Sequence, residues 1–76
     1  MEVARYLPHK RYDIRTLAYG YGAKMVVPSG RDMWCQFRSE TVACEFFTHI
    51  RSLGFWSGGY FKGNYSHTWD VRVRVA

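Results

Sequence analysis

The stretch from Arg38 to Gly54, RSETVACEFFTHIRSLG, constrains the fold of this chain more than any other. It carries the start signal, the stop signal and the periodicity of an amphipathic helix over residues 39–53. Ser39 is an N-cap whose hydroxyl can accept from an unpaired amide of the first turn. Glu40 puts a negative charge at the positive end of the helix dipole, and Arg51 a positive one near the other end. Gly54 stands at C′, where the left-handed conformation costs glycine nothing. At about 100° per residue, Val42, Ala43, Phe46, Ile50 and Leu53 fall on one face. Glu45, Thr48 and Ser52 fall on the other, with Phe47 and His49 on the flanks and Cys44 nearly opposite the apolar stripe. A helix of this kind lays its apolar face on something flat, most simply a sheet.

The strands to build that sheet lie on both sides. Residues 69–75, WDVRVRV, alternate cleanly: Trp69, Val71, Val73 and Val75 face one way, Asp70, Arg72 and Arg74 the other. The whole of Tyr65 to Val75 reads as the last strand. Before it, Phe55 to Phe61 reads as a strand in which Gly58 and Gly59 signal a bulge or a close backbone approach, and Lys62-Gly63-Asn64 as a turn. Residues 24–37 read as a hairpin: a strand from Lys24 to Val27, a turn at Pro28-Ser29-Gly30, and a returning strand from Asp32 to Phe37.

Lys10 to Tyr21 supports two readings. With period 2, Tyr12, Ile14, Thr16 and Ala18 share a face in a β-like composition. With period 3.6, Ile14, Leu17, Ala18 and Tyr21 form a helical stripe. Composition and the lack of an evident N-cap favour a strand, with Gly20-Tyr21-Gly22 as a turn or bulge. Residues 1–9 read as a flexible arm interrupted by Pro8. The expected fold is thus a single α+β domain over residues 1–76. It has one antiparallel sheet with one helix on one face, in the order βββαββ, the alternative being αββαββ.

Composition narrows the function classes. Seventy-six residues make one domain. A chain this short buries only about 60% of its unfolded surface, so a homodimer is among the expected states. Apolar residues at 47% and aromatics at 18% mark a folded protein. No apolar run approaches the roughly 18 residues that span a bilayer, and MEVARYLPHK lacks the apolar core of a signal peptide. The expectation is a cytoplasmic protein with no membrane partner. Cys35 on a strand and Cys44 on the outer side of the helix are badly placed for a disulfide and read as two thiols.

The formal charge is +5, and eight of the eleven basic residues are Arg. Arginine supplies a planar donor that also stacks on rings, which suits phosphates or an acidic protein surface. If the valines of residues 71–75 face the helix, Trp34, Gln36, Asp70, Arg72 and Arg74 share the open face of the sheet, with Tyr60 or Tyr19 as further candidates. Aromatics and Arg on an exposed sheet are how single-strand nucleic-acid binders stack bases and grip phosphates. The plainer reading is a solvated face of alternating charge. Lys10, Arg11 and Arg15 form a second basic group, or a charged edge that discourages aggregation. The turn GGYFKGNYSH (58–67) brings Lys62, aromatics and His67 to a tip suited to protein contact.

Catalysis finds little footing. His67 with Tyr65, Lys62 and His49 would be needed for a metal-independent ribonuclease, and nothing in their spacing demands it. Cys44 and His49 diverge by about 140° around the helix, too far for a nucleophile and its base. Cys35, Cys44, His9 and His49 lack metal-ligand spacing. No cofactor is implied.

The order of elements from Met33 to Val75 is similar to half of a SPOR-type peptidoglycan-binding module, which would imply peptidoglycan as ligand. The first 32 residues supply no second half, and no export signal is read. In gross character the chain resembles small phage-encoded inhibitors of bacterial defence, anti-CRISPR proteins among them, which are often compact and without an active site. The leading expectation is a non-enzymatic binding protein that occupies a surface of a larger protein or ribonucleoprotein. A single-stranded RNA or DNA binder comes next, and a small ribonuclease third. The residues expected to carry binding are Trp34, Gln36, Tyr60, Lys62, Arg72, Arg74, Lys10, Arg11 and Arg15.

Overall fold

The computed structural model describes residues 13–63 and 67–75. The expected arm and two of the three residues of the second basic group, Lys10 and Arg11, lie outside the described residues. The elements are α1 (Ile14–Gly20), β1 (Met25–Ser29), β2 (Asp32–Phe37), α2 (Glu40–Ser52), β3 (Ser57–Lys62) and β4 (Trp69–Arg74).

Helix α2 forms as its sequence dictates. The Ser39 hydroxyl accepts from the Val42 amide at 3.3 Å. At the far end Gly54 has φ +97°. Its amide donates to the Arg51 carbonyl, and that of Phe55 to the Ile50 carbonyl, the paired bonds of a Schellman cap. Ala43, Phe46 and Ile50 are fully buried.

Among the described residues the order is αββαββ, with two helices rather than one, and the strand favoured between Lys10 and Tyr21 is overturned over residues 14–20. The Asp13 carboxylate accepts from the Arg15 amide at 3.0 Å and the Thr16 hydroxyl at 2.9 Å, so α1 has an N-cap after all. Its end repeats that of α2: Gly22 has φ +91°, and the amides of Gly22 and Ala23 donate to Tyr19 and Ala18. A seven-residue helix is not stable alone. Burial of Ile14 and Ala18 in the core holds it, together with Tyr21, whose ring meets Phe46 edge-on at 5.4 Å.

The four strands form one antiparallel sheet in the order β1-β2-β4-β3. The β1–β2 turn is Gly30-Arg31, not Pro28-Ser29-Gly30, since Pro28 and Ser29 belong to β1. Pro28 is tolerated because β1 is an edge strand. The Ser29–Asp32 pair closing a two-residue turn exchanges hydrogen bonds, so at the next pair, Pro28–Met33, the missing N–H faces outward. Both helices cover one face of the sheet, α1 over β1 and β2, and α2 over β2, β3 and β4. Val26, Cys35, Phe37, Val71 and Val73 point into this layer and join Phe46, Ile50 and Phe55 in the core. The other face carries no element among the described residues.

Candidate interaction face

Register assigns every strand residue to a face. Cys35 opposes Val71 and Phe37 opposes Trp69 on the covered side, while Trp34 opposes Arg72, Gln36 opposes Asp70 and Asp32 opposes Arg74 on the open side. The structure therefore brings Trp34, Gln36, Arg72 and Arg74 together on the open face.

Tyr60 and Lys62 are not there. The ladder between β3 and β4 slips by one residue between Ser57 and Gly59. A one-residue bulge exchanges the faces of everything beyond it. Tyr60 consequently opposes Val71 on the covered side, and Phe61 opposes Asp70 on the open side. Lys62 opposes Trp69 on the covered side and sits 5.3 Å from its ring, and Tyr60 packs against Phe47 of α2. The Cys44 thiol next to the Tyr60 hydroxyl raises that phenol above the usual tyrosine range, with partial burial and Glu40 adding to the effect. Cys44 thus belongs to the stripe Glu40, Cys44, Phe47, Arg51 along β3, not to the outer side of α2. Arg15 and Tyr19 lie on α1, across the sheet from the open face.

Three residues missed in the sequence complete the open face: Trp56, Phe61 and Asp32. The Arg72 guanidinium lies 5.7 Å from the Trp34 ring centre and 5.2 Å from that of Trp56, threaded between two indoles. The Arg74 guanidinium stacks on Trp56 at 4.7 Å. Asp32 fixes both: one carboxylate oxygen accepts from Arg74 Nε at 2.9 Å, and the other is 3.8 Å from Arg72 Nε. A planar guanidinium can fill such a slot and a lysine ammonium cannot. The bulge makes room for it. A Cβ built at Gly58 would stand 2.7 Å from Arg72 Nη2 and 3.1 Å from the Trp56 ring, so the close approach read from the glycine pair is to Arg72. The Ser57 hydroxyl steadies the bulge by donating to the Arg72 carbonyl at 2.6 Å. Phe61 extends the row, its ring 6.1 Å from that of Trp34.

Around this cluster the face is apolar. Met25 (49% exposed), Trp56 (48%), Phe61 (46%) and Val27 (37%) are four of the five large hydrophobic residues exposed among the described residues. All four lie on the open side, Met25 and Val27 opposite Gln36 and Trp34. Its charges balance, with Asp32 and Asp70 against Arg72 and Arg74, although the chain carries +5. Asp70 is engaged by the Thr68 hydroxyl at 2.8 Å.

Cys44 and His49, weighed as a nucleophile and its base, do not converge. His49 Nδ1 is 2.8 Å from the Tyr21 hydroxyl, between the two helices, whereas Cys44 meets Tyr60 at the β3 side. Cys35 is buried, and burial pushes its thiol up to about 12. Both cysteines are free. Among the described residues, no three His, Cys, Asp or Glu side chains are grouped to hold a metal ion, and no helix is long and apolar enough to cross a membrane. Comparison with protein-family models, with curated proteins and with solved structures finds no match.

Proposed function

We propose that this is a non-enzymatic binding protein that works by laying the open face of its sheet on a surface of a larger partner protein. One observation carries the reading. The uncovered face of an antiparallel sheet is ordinarily polar, and here it presents Met25, Val27, Trp56 and Phe61 around stacked arginines. A contiguous apolar patch on a small domain marks a contact surface, and Trp and Arg are the residues on which interface energy concentrates. Size argues that the partner reaches past the sheet. Four strands of about six residues span roughly 20 × 19 Å, near 400 Å², about half of the ~800 Å² per partner of a standard interface. That figure also disfavours a homodimer built on this face alone. The proposal includes a ribonucleoprotein engaged through its protein surface, the kind of target blocked by the phage-encoded inhibitors the chain resembles in type.

The second reading, a single-stranded nucleic-acid binder, draws on the exposed Trp56 and Phe61 rings, which offer stacking platforms. Charge weighs against it. A strand of phosphates needs several unpaired cations, and the two arginines of this face already share Asp32.

The test is affinity capture from the native host with three proteins: wild type, Phe61→Asp on the open face, and Arg15→Ala on α1. A partner held by wild type and Arg15→Ala but lost by Phe61→Asp supports the reading. Retention by all three refutes it. Titration with oligonucleotides addresses the alternative. Binding whose log affinity falls with log salt at about −0.7 per phosphate contact would make the nucleic acid the ligand.

A further inference from the structure

We infer that the arginine pair at the centre of the open face is a receptor for a single carboxylate, supplied by an Asp or Glu side chain set in an apolar patch of the partner protein. This deepens the proposed docking face and rests on it.

At the cluster, donors outnumber acceptors. Two guanidiniums share one carboxylate, that of Asp32, and the next one along, Asp70, is held by Thr68. The second positive charge is matched only by Asp70 further along the same face, so what the cluster has in excess is hydrogen-bond donors. Arg74 has only its Nε committed to Asp32. Among the described residues, the terminal nitrogens of Arg72 and Arg74 have no hydrogen-bond acceptor. They are also not among the buried atoms, in contrast to Arg72 Nε, which is buried and unbonded. The indoles of Trp34 and Trp56 hold the guanidinium planes in place. Two forks of donors are thus fixed and unfilled, the geometry that matches a carboxylate with paired N–H···O bonds.

What covers such a face is decided by what covering does to those donors. A purely apolar partner would bury guanidinium N–H groups with no acceptor, which is strongly unfavourable. A basic partner adds repulsion. A polyphosphate brings many charges to a place that needs one, and sets them against Met25, Val27 and Phe61. One carboxylate ringed by apolar side chains satisfies the donors and the rim together. A second copy of this chain fits less well, since it brings its own unfilled arginines.

The test is an NMR titration of the full chain that follows the Trp56 indole N–H and the Nε–H signals of Arg72 and Arg74. The probes are a capped helical peptide with one Glu between leucines on one face, the same peptide with Gln, and an oligothymidylate. The Glu peptide should move all three signals and bind roughly tenfold or more tightly than the Gln peptide. Arg74→Gln should erase that difference, while Arg74→Lys, which keeps the charge without the fork, restores part of it. Equal binding of the two peptides at Trp56 would overturn the carboxylate receptor and leave the docking face standing. Signals moved by neither peptide would overturn both. Oligothymidylate acting where the Glu peptide does not would overturn the inference in favour of phosphate. Shifts that grow with protein concentration alone would overturn it in favour of a second copy.

Discussion

Gly58 gives the sharpest check on the arginine slot, because two effects of opposite sign meet there. Its backbone is outside the left-handed region, so Gly58→Ala brings no backbone strain. By restricting the unfolded chain it should stabilise the fold by about 0.4–1 kcal/mol. Against this, the new Cβ would stand 2.7 Å from Arg72 Nη2 and 3.2 Å from its Nε. Something must give, and the part able to give is the guanidinium. Leaving the slot forfeits its contacts with Trp34 and Trp56, about 0.5–1 kcal/mol each, and weakens its approach to Asp32. The loss is about 1–2 kcal/mol, which outweighs the gain and leaves a net destabilisation near 1 kcal/mol. In a domain of this size that lowers the melting temperature by about 4–8 °C. With Arg72→Ala already in place only the Trp56 ring edge, 3.1 Å from the new Cβ, has to give slightly, and the same change at Gly58 should become stabilising.

The experiment is a double-mutant cycle of Gly58→Ala and Arg72→Ala, with stabilities from urea unfolding followed by tryptophan emission. The expected coupling is about 1–2 kcal/mol, with a reversal of sign between backgrounds. Equal stabilisation by Gly58→Ala in both backgrounds would show that Arg72 swings aside at no cost. The slot would then be a resting place and not a built feature.

Three further perturbations address the rest of the molecule. Below pH 9 the Cys35 thiol is neutral folded or unfolded. Above it the unfolded chain ionises while the buried thiol resists to about 12. Stability should therefore fall with rising pH by about 1.4 kcal/mol per unit in that window. Cys35→Ala should show a shallower slope in alkaline urea titrations, and parallel slopes would contradict the burial effect. The Asp13 carboxylate is held below the usual range, first by the Thr16 hydroxyl and then by the amides of Arg15 and Thr16. It thus stabilises α1 above the ordinary Asp range, and loses that effect as pH falls through its lowered value. Asp13→Ala should raise hydrogen exchange at the Leu17 and Ala18 amides near neutral pH and leave α2 unchanged. Removing the hydroxyl that meets His49 at 2.8 Å, by Tyr21→Phe, should cost about 1 kcal/mol in urea unfolding. An unchanged midpoint would show that this contact does not tie α1 to α2.

How far the sequence carried this reading depends on how many independent signals each element had. Helix α2 had a cap at each end and nearly four turns of periodicity, and all agreed. Helix α1 had two turns, which a four-residue stripe barely samples, and its Ile, Thr and Tyr content is that of a strand. Tertiary burial of Ile14 and Ala18 overrode that local preference. The signals that could have exposed it were Asp13 two residues before Arg15, and Gly22 one residue past the stripe. On the open face, strict alternation in β2 and β4 was enough to place Trp34, Gln36, Arg72 and Arg74. The same alternation put Asp32 beside Trp34, a position overlooked because a turn was expected next to it. Strand β3 and its bulge were legible at Gly58 and Gly59, but the faces of the residues beyond the bulge were not. Two adjacent glycines announce a bulge without saying which is the extra residue, and that choice alone decides whether Tyr60 or Phe61 faces out.

The bulge links three properties that would otherwise look separate. By inserting Gly58 it turns Phe61 to the open face and Tyr60 to the covered one. By having no side chain there it lets Arg72 lie against the backbone between two indoles. By breaking the ladder on an outer strand it also spoils that edge as a template for a further strand. The opposite edge, β1, is blunted by Pro28, whose missing N–H faces outward. With both edges poor at pairing, association through added strands is disfavoured, and the open face is left as the surface for contact. On the proposed docking reading, the partner approaches along the sheet normal, onto Trp56 and the arginine pair. It follows that substitutions at Gly58 should alter binding through Arg72 even though Gly58 offers no side chain to touch. A binding defect in Gly58→Ala that matches the one in Arg72→Ala, and does not add to it in the double variant, is the result this coupling requires.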